Sequence, residues 1–194
     1  AAGARRVLIV GGGPEAANAI DGIHHKLEAV GDTVRTCSWL YTESAIGAAF
    51  DELRPTHIVY TLLYDGVGCR VPGAEVEESA KSAWRANNSL LTLVRVLSAR
   101  ASRRADGGEP LQRCALLCLR YSSLGSKDDE DDECTLAYMA SGAAFASSLC
   151  KAIAAELPST ISRASLIELP PKPSYGAEER YRRILNAIVD EVRA

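Results

Sequence analysis

The stretch RRVLIVGGGPEA, residues 5–16, decides how this chain folds. Its first half, Arg5 to Val10, is a short apolar run typical of a buried strand, and three glycines and a proline then end the run. Residues 15–30 follow with apolar side chains at helical spacing until Gly31. A strand, a glycine-rich turn and a helix in this order predict the first unit of a parallel α/β sheet.

The same alternation continues along the rest of the chain. Each strand pattern is followed by a helix pattern, and a crossover of this kind brings the chain back over the sheet to pair in parallel. We therefore expect one α/β domain over residues 1–194, with a doubly wound parallel sheet and helices on both faces. The further strands are predicted at 33–40, 57–63, 114–121 and 162–169, and the helices at 43–53, 75–100, 135–157 and 176–192.

Composition excludes several classes of protein. Hydrophobic residues are 47% and charged residues 24%, the balance of a globular chain, and the net charge is −3. Six acids form one run at 128–133, which we interpret as a solvated loop, with a contact to a cation or a basic partner as the alternative. The remaining charge is too weak to indicate nucleic-acid binding. No apolar stretch approaches the roughly 20 residues of a membrane span.

The six cysteines do not resemble a metal site. They form no CxxC pair and are not paired at short spacing with any of the three histidines, so we expect no metal. Four of them fall in predicted strands or helices, where a cysteine is usually a small buried hydrophobe. This usage favours a reducing compartment: the cytoplasm, or the mitochondrial or plastid matrix if the N-terminus is processed. The cysteines are Cys37, Cys69, Cys114, Cys118, Cys134 and Cys150.

The glycine turn is a candidate phosphate loop. Gly11, Gly13 and Ala16 fit the pattern G-x-G-x-x-A between a strand and a helix, where free N–H groups and the helix N-terminus can hold a diphosphate. Pro14 removes one amide donor, and Glu15 brings a carboxylate to the same helix end. The alternative is that Glu15 itself occupies this end and interacts with the helix dipole.

The end of the second strand gives little support to a dinucleotide. An acid that would bind a ribose is expected about 20 residues after the glycines, and none is present there. Arg35 or Ser38 could instead contact a 2′-phosphate, which would favour NADP over NAD.

In their order, the motifs resemble the short-chain dehydrogenase/reductase superfamily over residues 5–171, and the chain is identified as a degenerate member of it. The resemblance implies a Rossmann-like sheet of about six strands, with an abbreviated third strand within 39–42 and a C-terminal end shorter than in the family. Beyond the glycine loop it rests on Arg54-Pro55-Thr56-His57-Ile58-Val59-Tyr60, Ala83-Trp84-Arg85-Ala86-Asn87-Asn88, Leu119-Arg120-Tyr121-Ser122-Ser123-Leu124-Gly125, Tyr138-Met139-Ala140-Ser141-Gly142-Ala143-Ala144 and residues 165–171.

By this resemblance, Tyr138, Ser123 and Asn87 stand where the family has catalytic groups. In the family a lysine four residues after the tyrosine lowers the phenol pKa and binds the nicotinamide ribose. Here that position is Gly142, and Lys151 is thirteen residues from Tyr138, about 20 Å along a helix. The alternative for these three residues is an ordinary helix tyrosine, a turn serine and a polar helix position.

Three functional hypotheses remain open. The first is a pseudoenzyme, a reductase-like fold that has lost its chemistry and serves as a binding or assembly subunit, with no cofactor expected. The second is an NAD(P)-dependent oxidoreductase that reduces a carbonyl through Tyr138 and Ser123 with NADP(H) or NAD(H). The third is a structural subdomain such as the inactive half of a polyketide-type ketoreductase. Fold analogy alone does not choose among them.

Two helices are candidates for assembly with another protein. The segment 135–157 is rich in alanine, serine and glycine, which allows a second backbone to approach closely. In the family that this chain resembles, this helix and the preceding long one, here 75–100, often pair into a four-helix bundle. We therefore expect a homodimer or a larger assembly through these two helices. Burial of both helices within one subunit is the alternative.

Overall fold

The computed structural model describes residues 4–11, 17–37, 43–61, 76–105, 113–121, 133–169 and 178–193. Five strands alternate with five helices in these ranges. The strands are β1 (Arg6–Val10), β2 (Thr33–Cys37), β3 (His57–Tyr60), β4 (Cys114–Tyr121) and β5 (Ile161–Leu169). The helices are α1 (Ala17–Ala29), α2 (Glu43–Leu53), α3 (Val76–Ala105), α4 (Glu133–Glu156) and α5 (Glu178–Arg193).

All strand pairs are parallel, and their order in the sheet is β2-β1-β3-β4-β5. The chain leaves β1 toward one edge to form β2 and then returns to the other side of β1 to form β3. This reversal makes a topological switch point between β1 and β3, a feature of doubly wound sheets. The predicted fold class, a Rossmann-like parallel α/β sheet, is confirmed. The abbreviated strand expected within 39–42 lies outside the described residues.

Helices cover both faces of the sheet, as the sequence predicts. Helices α2, α3 and α4 pack on the face formed by side chains such as Leu8, Ile58 and Leu116. Helices α1 and α5 pack on the opposite face, against Val7, Val59 and Leu117 among others. Because alternate residues of one strand point to opposite faces, the near-continuous apolar runs of β1, β3 and β4 supply both cores.

Several element boundaries differ from the sequence prediction by a few residues, and the two at the end of α3 and the start of α4 have a clear cause. Helix α3 continues to Ala105 rather than ending at Arg100, because residues 101–105 contain no helix breaker and the first glycine pair comes only at 107–108. Helix α4 begins at Glu133, two residues early, so the last acid of the run 128–133 belongs to this helix. An acid at this end interacts favourably with the helix dipole. Residues 128–132 lie outside the described part of the chain.

No helix among the described residues is long and apolar enough to cross a membrane.

Candidate functional site at the carboxyl end of the sheet

The switch point is built around a close contact between Gly11 and Thr61. The Gly11 N–H donates to the Cys37 carbonyl at 2.9 Å, and the Thr61 N–H donates to the Val10 carbonyl at 2.9 Å. These two bonds extend the pairing of β1 with β2 and with β3 by one residue. A Cβ atom on Gly11 would lie 1.6 Å from the Thr61 Oγ1, so no larger side chain fits at this position.

This contact explains, without a bound phosphate, why the first position of the candidate phosphate loop is a glycine. Both Gly11 and Thr61 are buried, and the packing between their strands alone requires the glycine. The Gly11 amide is already bonded to Cys37 and is not directed to a ligand. Gly13 and Ala16, the other two positions of the motif, lie outside the described residues.

Arg35 lies in the middle of β2, opposite Leu8 of β1. Its guanidinium forms an ion pair with the Glu52 carboxylate, on a side of the sheet covered by α2. Glu52 is the penultimate residue of α2, and this helix ends next to the amino ends of the strands. The guanidinium is therefore directed away from the carboxyl edge, where a dinucleotide would bind. Ser38, the other candidate for a 2′-phosphate, lies outside the described residues.

Tyr138 and Gly142 lie in the same continuous helix, α4, and are one turn apart. Lys151 follows on the same helix with an exposed side chain. Asn87 is part of α3, and α3 packs against α4. The side chains of Asn87 and Tyr138 are not among those described, and Ser123 lies outside the described ranges, two residues after the end of β4.

Two helices on one face expose large apolar side chains. Phe145 of α4 is 45% exposed, and Leu91 of the adjacent α3 is 38% exposed. Cys150 and Ile153 of the same helix are buried in the core. Phe145 is seven residues after Tyr138, so both positions belong to one stripe of the helix surface.

Sequence reasoning missed a group of charged residues at the amino edge of the sheet. Burial lowers the pKa of His57, the first residue of β3, below its ordinary 6.5, and the Arg5 and Arg163 guanidinium groups lower it further. The Asp32 carboxylate acts in the opposite direction. Asp32 Oδ1 also accepts a hydrogen bond from the Arg5 N–H at 2.9 Å.

The arginines of this group have a structural role at the C-terminus of α5. Arg163 donates to the Glu191 carbonyl at 3.1 Å and lies 3.3 Å from the Glu191 carboxylate. Arg5 donates to the Arg193 carbonyl. Unpaired carbonyl groups at the end of a helix are stabilised by such cations. This group of contacts could not be predicted from the sequence, because the residues involved are far apart in the chain.

Within the described ranges, no three side chains of His, Cys, Asp or Glu are grouped closely enough to hold a metal ion.

No family model matches the chain. No curated protein matches it significantly. The chain is similar to the solved structure of a GDP-L-fucose synthetase from Naegleria fowleri bound to NADP, with a TM-score of 0.48 and 11% identity. The similarity covers 84% of this chain and 49% of the other, so this chain spans about half the length of that protein.

Proposed function

We propose that this chain is a non-catalytic binding or assembly subunit built on a reductase-like fold. The observation that carries the proposal is the uninterrupted helix α4, Glu133–Glu156. Because the helix is continuous, Tyr138, Gly142 at the position of the absent lysine, and the exposed Phe145 follow one another at a spacing of about one turn.

The first consequence of this register concerns the phenol of Tyr138. An unperturbed phenol, with a pKa of about 10, is a poor acid–base at neutral pH unless a nearby cation stabilises its ionised form. One turn further along α4 the residue is Gly142, which has no side chain. The basic residue of α4 is Lys151, about 20 Å along the axis from Tyr138 and exposed. This spacing supports a helix without the reductase chemistry.

The edge of the sheet supports the absence of a cofactor. Packing against Thr61 accounts for Gly11 without a bound phosphate, and the Gly11 N–H is already used within the sheet. The Arg35 guanidinium is paired with Glu52 rather than directed to the edge. Of the residues predicted to bind NADP, these two therefore have other partners.

The exposed stripe of α4 supports assembly with a second copy of the chain. Phe145 exposes 45% of its surface to water, and a partner that covered it would bury this apolar area. Leu91 of α3, the helix that packs against α4, is also exposed, at 38%. Two-fold symmetric dimers, in which the same surface meets itself, are the commonest assembly. The occupant that we propose is therefore a second copy of this chain.

A second candidate function is an NAD(P)-dependent oxidoreductase that uses Tyr138 and Ser123. The observation that favours it is the switch point between β1 and β3, with the Gly11 turn at its edge. Doubly wound sheets bind their ligands in the crevice at such a point. A cation from another part of the chain would have to replace the lysine.

Thermal unfolding in the presence of NADPH or NADH separates the two candidates. A cofactor at 100 times its dissociation constant stabilises its protein by about 2.7 kcal/mol. We expect neither nucleotide to change the melting temperature at millimolar concentration. A shift with either one would contradict the non-catalytic proposal. Tyr138→Phe would then test catalysis, since loss of carbonyl reduction in a variant that still binds the nucleotide requires the phenol.

A further inference from the structure

We draw no further inference here: the strongest candidate, the cluster of histidine and acidic side chains along α1 from Asp21 to Glu28, joins the His24 ring to the Glu28 carboxylate at 3.1 Å, but within the described part of the chain no third His, Cys, Asp or Glu is grouped with them closely enough to hold a metal ion.

Discussion

Gly11 is held in place by a residue fifty positions further along the chain. Its missing Cβ leaves the space that the Thr61 Oγ1 fills, and this contact brings β1 and β3 together at the switch point. The glycine of a phosphate-loop pattern therefore has a packing role here.

Gly11→Ala is expected to lower the free energy of unfolding by about 1–3 kcal/mol, because it overpacks a buried contact. Thr61→Ala removes the Oγ1 atom from that space, so the double variant should lose less than the sum of the two single variants. Urea denaturation of the four proteins measures this coupling.

Gly22→Ala combined with Thr61→Ala is the matched control for this cycle. A Cβ on Gly22 would meet the side chain of Leu185 instead, at 2.7 Å. The effects of Gly22→Ala and Thr61→Ala should therefore add. Additivity between Gly11→Ala and Thr61→Ala as well would show that the contact between β1 and β3 is not what requires the glycine.

His57 is expected to make the fold less stable in acid. Its pKa is lower in the folded protein than the unperturbed 6.5, first because of burial and then because of Arg5 and Arg163. Above both pKa values the residue is neutral in both states and contributes no pH dependence. As pH falls through 6.5, the unfolded chain takes up the proton first, so unfolding becomes easier until the folded pKa is passed.

His57→Gln should therefore lose less unfolding free energy than the wild type between about pH 7.5 and about pH 5.5. Urea denaturation at the two pH values gives the comparison. His25→Gln, on an exposed position of α1, controls for the loss of a histidine as such. Equal losses in His57→Gln and the wild type would contradict the assignment of a lowered pKa to His57.

At the scale of elements, one buried arginine of α3 joins this helix to α2, in addition to the apolar side chains that the two helices share in the core. The Arg100 side chain is 7% exposed and lies 2.7 Å from the Asp51 carboxylate. Its guanidinium also donates to the Gly47 carbonyl and sits 4.9 Å above the Phe50 ring. One side chain of α3 thus contacts three residues on consecutive turns of α2.

Arg100→Met should cost about 1–3 kcal/mol of unfolding free energy, because it removes hydrogen bonds to a charged group and a cation–π contact. The Asp51 side chain is 55% exposed and stays solvated, which keeps the loss moderate. Arg35→Met is the matched control, since it breaks an exposed pair with Glu52 worth about 0–1 kcal/mol. Equal losses in the two variants would contradict this account of the α2–α3 contact.

The order of the elements could be predicted from the sequence because its signals are local. Gly31 ends the periodic pattern of α1, and Pro55 separates α2 from β3. The end of α3 could not be placed as well, because residues 101–105 are compatible with either a helix or a loop until the glycine pair is reached. Packing against neighbouring elements decides such cases.

The candidate site could be predicted only in part. The position of the glycine turn at the end of β1 follows from the local pattern, and the absence of a lysine one turn after Tyr138 is visible in the sequence. The contact of Thr61 with Gly11 and the pairing of Arg35 with Glu52 depend on which strands and helices become neighbours. No local pattern carries that information.

At the scale of the whole molecule, the central claim is that this fold serves assembly rather than catalysis. Two helices on one face of the sheet expose Phe145 and Leu91, while their other sides are buried in the core. A second copy of the chain that covers this surface would remove both side chains from water. Burial of apolar area is the dominant favourable term in protein association.

The most direct test is the mass measured by sedimentation equilibrium for the wild type, Phe145→Glu and Val30→Glu. Val30 is exposed to the same extent as Phe145, 45%, but lies after α1, away from the proposed interface. We predict that the wild type and Val30→Glu sediment as dimers, and that Phe145→Glu sediments as a single chain of 20.7 kDa with unchanged circular dichroism. A monomeric wild type, or a Phe145→Glu variant that remains dimeric, would contradict the claim.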